Sequence, residues 1–294
     1  MSKIILFFLL VFWLLSCDDE TSTKAATSKY VTIGTFNIAW LGDNINDRID
    51  REKEHYKAIA EIIKNSKMDV IGLQEIENHN AMRNILKYLP DYSYYLGKSG
   101  GKQNLAILFR KSISVKYIGE YMPLAVEEGK TRPGLVIECK YGNFDWKMMV
   151  VHFKSTSRYD NTKEKQELSR TLREQQAYVV RKWADSVSKK TKEKDIVIVG
   201  DFNDTPNRKK NNTLTSLFGD GKYIFLTANM KSCKYKAMYI IDHIVISKSA
   251  MKRYLKDSER VYNFFNTYSK EQAESISDHC PVSSVFDVSS QDND

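Results

Sequence analysis

Short apolar runs that stop at a polar side chain recur along this chain, and that pattern limits its fold more than any other feature. The clearest is Val197-Ile198-Val199-Gly200-Asp201-Phe202-Asn203-Asp204. Its β-branched start reads as a buried strand. The run stops at a glycine, and an acid and an amide follow at once. Side chains alternate along a strand, so Asp201 and Asn203 are expected to point together, away from Phe202. A carboxylate and an amide placed in this way hold a water beside a phosphoryl oxygen. The same residues also suit an ordinary Asp/Asn turn, and the rest of the chain decides between the two.

Other runs end alike. Residues 30–38 alternate as a strand and carry Asn37 near the end. Residues 69–75 form a short buried strand closed by Glu75, a carboxylate that is costly to bury unless it meets a cation or hydrogen-bond donors. Residues 134–139 and 146–152 read as a hairpin through Tyr141-Gly142-Asn143, with His152 closing the second strand. Further strands are expected at 105–109 and 112–117. Residues 239–246 are an apolar strand interrupted by Asp242 and His243, and a buried carboxylate there needs a partner. Ser277-Asp278-His279 then lead into Cys280 and a last strand to about Val288.

Helices fall between these strands. One is predicted over 51–64, with Tyr56, Ile59, Ile62 and Ile63 on one face, and a short one over 82–88. A long one over 161–188 carries Leu168, Leu172, Val179, Trp183 and Val187 as its buried stripe. Strands alternating with helices around a β-rich centre predict an α/β fold with mixed sheets. Polar groups gathered at one sheet edge suit a site built on a rigid scaffold.

With 294 residues and no long Pro/Gly/Ser linker, one domain is expected, over 30–288, with a tail at 289–294. Residues 1–17 are set apart. Lys3 precedes an apolar run too short to span a bilayer comfortably, and Leu14-Leu15-Ser16-Cys17 resembles a bacterial lipobox. That likeness implies cleavage before Cys17, lipidation of its thiol, and a polar tether over 18–29, so that the chain is an exported lipoprotein of the cell envelope touching the membrane through its anchor only. A plain secretory signal or an N-terminal anchor is the other reading. Cys139, Cys233 and Cys280 are widely spaced, with no CxxC pair. A zinc cluster is not indicated, and one disulfide is open, but the sequence selects no pair. The net charge is +8, and removing residues 1–17 takes away only Lys3. A basic chain favours a polyanionic partner, nucleic acid or an anionic membrane surface.

Taken in order, Asn37, Gln74-Glu75, His152, Gly200-Asp201-Phe202-Asn203, Asp242 and Ser277-Asp278-His279 resemble the endonuclease/exonuclease/phosphatase superfamily, on its deoxyribonuclease-like side. The likeness spans nearly the whole mature chain. It implies a four-layer α/β sandwich, two packed mixed β-sheets flanked by helices. It implies Glu75 as main Mg²⁺ ligand, with Asp278 and Asn37 assisting, and Ca²⁺ or Mn²⁺ as possible substitutes. Asp201 would orient or deprotonate the attacking water, Asn203 and Arg132 would hold the phosphate, and His279, oriented by Asp242, would contact it. His152 would serve as general acid to the leaving oxygen. The likeness thus implies a monomeric, metal-dependent nuclease, acting on DNA or else RNA. Where the deoxyribonuclease branch has a glutamate beside its first histidine, this chain has Gln103, so His152 is expected to be less basic. Ala39 replaces an acid of the abasic-site branch, which argues against that branch.

Two other readings stand beside this one. A phospholipid or inositol phosphate substrate keeps the hydrolase, although the inositol-phosphatase run is absent at Tyr239-Ile240-Ile241-Asp242-His243. An adhesin that lost catalysis is disfavoured because every motif acid and histidine is present. His243 is expected to be structural, His55 solvated, and His79 a possible cleft residue.

Overall fold

The computed structural model describes residues 28–292. The apolar run, Cys17 and most of the tether lie outside the described residues. The described elements are β1 (Tyr30–Leu41), α1 (Lys53–Asn65), β2 (Val70–Ile76), α2 (His79–Leu86), β3 (Tyr92–Leu96), β4 (Asn104–Arg110), β5 (Ser114–Tyr121), β6 (Gly134–Tyr141), β7 (Phe144–His152) and α3 (Lys163–Lys190). They continue with β8 (Ile196–Asp201), α4 (Thr215–Phe218), β9 (Tyr223–Phe225), β10 (Asp242–Ser247), β11 (Arg260–Val261), α5 (Lys270–Ile276) and β12 (Val282–Asp287).

The strands form two six-stranded mixed sheets, ordered β11-β12-β1-β2-β4-β3 and β5-β6-β7-β8-β10-β9. Each has one central parallel pair, β1 with β2 and β7 with β8, and is antiparallel elsewhere. The inner faces meet in a core that includes Ile33, Val70, Ile107, Ile137, Val150, Val197 and Val199. At Gly72 the sheets approach closely: a Cβ there would lie 2.6 Å from a Val199 methyl. On the outer face of the first sheet, α1, α2 and α5 cover Phe36, Ile38, Ile71 and Leu73. On the outer face of the second, α3 and α4 cover Val151, Ile196, Ile198 and Phe202. The result is helix, sheet, sheet, helix, four layers around three apolar cores. No helix among the described residues is long and apolar enough to cross a membrane.

Several elements depart from the sequence expectation. β3, β9 and β11 lie outside that expectation; β3 is Tyr-Ser-Tyr-Tyr-Leu, whose tyrosines pair along β4. The expected strand over 239–246 begins only at Asp242, because Tyr239 instead bridges Lys231 across a surface hairpin. Arg51 precedes α1 and is buried. On α3 the buried stripe runs through Leu172, Arg173, Gln176, Ala177, Val180, Trp183 and Ala184, and Leu168 is 41% exposed. Cys233 and Cys280 form a disulfide.

Candidate active site

Strand register brings the site together. Parallel pairing sets His152 beside Asp201, and antiparallel pairing sets Asp201 beside Asp242, so three functional side chains lie in a row across three strands. Gly200 permits this approach. Its φ is +146°, and a Cβ would fall 1.9 Å from the Val151 carbonyl oxygen. The other sheet contributes its own parallel pair, with Asn37 opposite Gln74 and the ladder slipping immediately beyond. At that slip Ala39, Trp40 and Glu75 take left-handed backbone, and Asn203 does so after β8. Non-glycine residues held there cost about 1–3 kcal/mol each and cluster where function fixes geometry.

The strained turn has a purpose visible in its hydrogen bonds. The Trp40 N–H donates to Glu75 Oε2 at 3.1 Å, and Asn37 Nδ2 reaches both Glu75 Oε1 at 3.3 Å and Asp201 Oδ2 at 3.2 Å. One amide therefore bridges the acids of the two sheets. The Asn203 N–H donates to Asp201 Oδ1 at 2.8 Å, while its side-chain amide donates to the Phe153 carbonyl at 3.1 Å. Phe202 turns the other way and packs against Phe153.

His279 arrives on the loop between α5 and β12. Ser277 places it: its hydroxyl donates to the Asn37 carbonyl at 2.7 Å and accepts the His279 N–H at 3.0 Å. Beneath them, Arg51 donates to the carbonyls of Ile38, Ala39, Ser275 and Ile276 at 2.7–3.1 Å, tying the end of β1 to the end of α5. No carboxylate pairs with it among the described residues, and burial lowers its pKa to about 10. Neither role is legible in the sequence. A lone buried arginine ahead of a helix gives no periodic signal, and its partners are main-chain atoms.

Electrostatics separates the two histidines. His279 Nδ1 bonds Asp242 Oδ2 at 2.7 Å. Burial alone would favour the neutral ring, but Asp242, aided by Asp201 and Asp278, overrides it and holds His279 charged well above the ordinary histidine range. His152 is the reverse. Its Nδ1 contacts Arg132 Nη1, and Arg132 Nη2 donates to Gln103 Oε1 at 3.1 Å. Burial, then the charges of Arg132 and His279, hold His152 well below the ordinary range. The residue at its Nδ1 is thus Arg132, with Gln103 one step further out. Its Nε2 faces Asp201 Oδ2 at 3.6 Å and Glu75 Oε1 at 3.9 Å. Burial and then Asp242 raise the Asp201 carboxyl, against the pull of His279, to about 7.

Asp201, Asp242 and His279 present ligand atoms within 4.8 Å of one another, a group that could hold a metal ion. Asp242 Oδ1 is buried with no hydrogen-bond partner. Protonated, His279 offers no lone pair, so the donors left are the oxygens of Asp201 and Asp242 with Glu75 and Asn37 adjoining, a hard acidic set that fits a divalent ion. Asp278, half exposed, lies 3.9 Å from His279 Nε2, on that side of the site. A second acidic group, Asp43, Asp47 and Glu77, already receives an ammonium: Lys102 Nζ lies 2.8 Å from Glu77 and 3.7 Å from Asp47.

The remaining histidines lie apart from this chemistry. His243 is buried and bonds the Thr227 hydroxyl at 3.0 Å and the Asp204 carbonyl at 3.2 Å. His55 closes the capping box of α1, accepting the Glu52 N–H at 2.9 Å. His79 bonds the Tyr94 hydroxyl at 2.9 Å.

Fold and site define a phosphoester hydrolase. The chain belongs to the endonuclease/exonuclease/phosphatase family, whose model matches residues 34–279. Solved structures agree on the fold. An endonuclease/exonuclease/phosphatase family protein of Bacteroides thetaiotaomicron is similar at 17% identity and TM-score 0.65, over 87% of this chain and 97% of that one. D. rerio TDP2 complexed with single strand DNA product is similar at 16% identity and TM-score 0.62, over 88% and 100%. A mannosyl-6-phosphatase of Bacteroides thetaiotaomicron is similar at 15% identity and TM-score 0.58, over 86% and 98%. No curated protein matches the chain.

Proposed function

We propose that this chain is a Mg²⁺-dependent phosphodiester hydrolase acting on DNA, exported to the cell envelope as a lipoprotein and working there as a monomer. The observation that carries the reading is the position of Asp201. It lies between a neutral histidine, a charged histidine and an amide shared with Glu75. In-line attack needs a water held on one side of phosphorus and donors around the oxygens that gain charge. Asp201 orients that water and takes its proton, since a carboxyl raised toward neutrality is a competent base at physiological pH. His279, held charged by Asp242, donates to the phosphoryl group. His152 donates through Nε2–H. Arg132 and Asn203 line the phosphate, with Asn203 locked by its N–H on the Asp201 carboxylate and its side-chain amide on the Phe153 carbonyl. Mg²⁺, when bound by Glu75 and Asn37 with Asp278 at the rim, supplies charge neutralisation and Lewis acidity.

The choice of nucleic acid rests on the basic balance of the chain and on a cleft edge richer in cations than the reacting phosphate alone requires. The export reading rests on Leu14-Leu15-Ser16-Cys17. A substrate panel tests the first: supercoiled DNA, single-stranded RNA, mannose 6-phosphate, sphingomyelin and an inositol phosphate, each with and without Mg²⁺. Turnover confined to DNA supports the proposal, and turnover confined to a phosphomonoester or a lipid refutes it. For the second, a Cys17→Ala chain that still incorporates radiolabelled palmitate in cells would overturn lipidation at Cys17.

A further inference from the structure

Beside His152 a cleft of about 460 Å³ opens between residues 129–132 and the segment leading from β7 into α3. That volume lies in the range of small-ligand pockets, about 300–1,000 Å³. Its far wall is built rigidly. Arg173 donates from α3 to the Lys154 carbonyl at 2.8 Å and the Thr156 hydroxyl at 3.0 Å, and the Lys154 N–H donates to buried Gln176 at 2.8 Å. Four cationic side chains line the cleft against one carboxylate, Asp160. Lys154 pairs with Asp160 and Lys130 with Glu127, each at 3.4 Å, but among the described residues neither Arg132 nor Lys165 has a carboxylate in ion-pair contact. At the rim stand two large apolar groups, Tyr159, 64% exposed, and Leu168, 41% exposed. Leu168 breaks the buried stripe of α3, and the cleft is the surface it faces.

We infer that this cleft is a nucleotide subsite, which rests on reading the centre as a nucleic-acid hydrolase. The base of the nucleotide flanking the scissile phosphate on the His152 side stacks on Tyr159 and Leu168. The next phosphate along the strand meets Lys165 and Lys130. A sugar monophosphate would place its one phosphate at Arg132 and leave the outer lysines and the apolar rim out of contact with it. A single strand, whose bases are free to stack, satisfies all of them, because stacking platforms beside cationic tracks are how unpaired strands are bound.

The test is binding, measured apart from turnover. A fluorescein-labelled thymidine dodecamer is titrated with the full chain in EDTA, following anisotropy, alongside Tyr159→Ala, Lys165→Gln and Tyr178→Ala. Tyr178 is exposed on the same helix but lies outside the cleft. Tyr159→Ala is expected to raise Kd about five- to tenfold, Lys165→Gln to raise it and flatten its salt dependence, and Tyr178→Ala to leave it where it was. Equal binding by all four chains overturns the subsite, as does equal weakening by Tyr178→Ala. Absence of dodecamer binding overturns it too, and chemical-shift changes at Tyr159 on adding mannose 6-phosphate would reassign the cleft to sugar phosphates. A parallel assay with Mg²⁺ keeps the two claims apart: cleft-dependent binding without cleavage leaves the subsite and refutes the hydrolase.

Discussion

Arg132 contacts Nδ1 of His152 through Nη1. A guanidinium has only donors, so Nδ1 is the acceptor and the ring is neutral with its proton on Nε2. His152 therefore acts as a fixed N–H donor toward the phosphate, and proton delivery falls to the charged His279. Arg132→Gln removes the charge beside the ring, while burial, the larger cause of its low value, stays. We predict that the His152 ring, which stays neutral across the physiological range in the parent, then titrates nearer the ordinary value of about 6.5. NMR of the ring protons reads this directly. Turnover is expected to fall about 10- to 100-fold, the scale of one lost charged hydrogen bond.

Asp201 sets activity against stability. Its carboxyl is raised to about 7, so the folded chain holds a proton there that the unfolded chain has released. Stability therefore falls as pH rises from the ordinary carboxylate range through about 7, and the ionised form is the strained one. Asp201→Asn should be more stable than the parent at pH 8 in EDTA, by on the order of a few kcal/mol, while losing about 10²–10⁴-fold in rate. Urea midpoints at pH 8 and pH 5 check it: the advantage of the variant should shrink at the lower pH.

The Asp242–His279 pair has the opposite linkage. A histidine raised by its partner contributes stability that is complete below its unfolded pKa, about 6.5, and is lost as pH rises through the elevated folded value. Asp242→Asn should thus cost more stability at pH 6 than at pH 10. Denaturant titrations at both values, in EDTA, measure the difference. A cost that is the same at both would mean that the couple carries no charge.

The Cys233–Cys280 disulfide closes a segment that holds Asp242, and Cys280 directly follows His279. Cys233→Ser should lower stability by about 2–4 kcal/mol. Because the bond also anchors the loop carrying His279, kcat should drop more than KM changes. Thermal unfolding with and without reductant, beside steady-state kinetics, checks both.

Much of this arrangement was readable from the chain because strands have a period of two and stop at polar residues. Asn37, Glu75, His152 and Asp201 each sit at or near the end of an apolar run and Asp242 at the start of one, and register does the rest. What was hidden depends on through-space partners. Arg51 and Ser277 bind main-chain carbonyls, which leave no mark in sequence. Leu168 falls on the apolar period of α3, which predicts core, yet the stripe bends toward Arg173 and Gln176, which bury polar groups to hold the neighbouring loop. Cys233 and Cys280 meet only because the hairpin before β10 folds back toward β12.

The central claim is tested most directly by incubating the soluble chain from Thr21 with closed circular plasmid, with and without Mg²⁺, beside His279→Ala. The account predicts nicking that requires the metal and that falls at least about 100-fold in the variant. Metal-independent nicking, or nicking at the parental rate by His279→Ala, would contradict it.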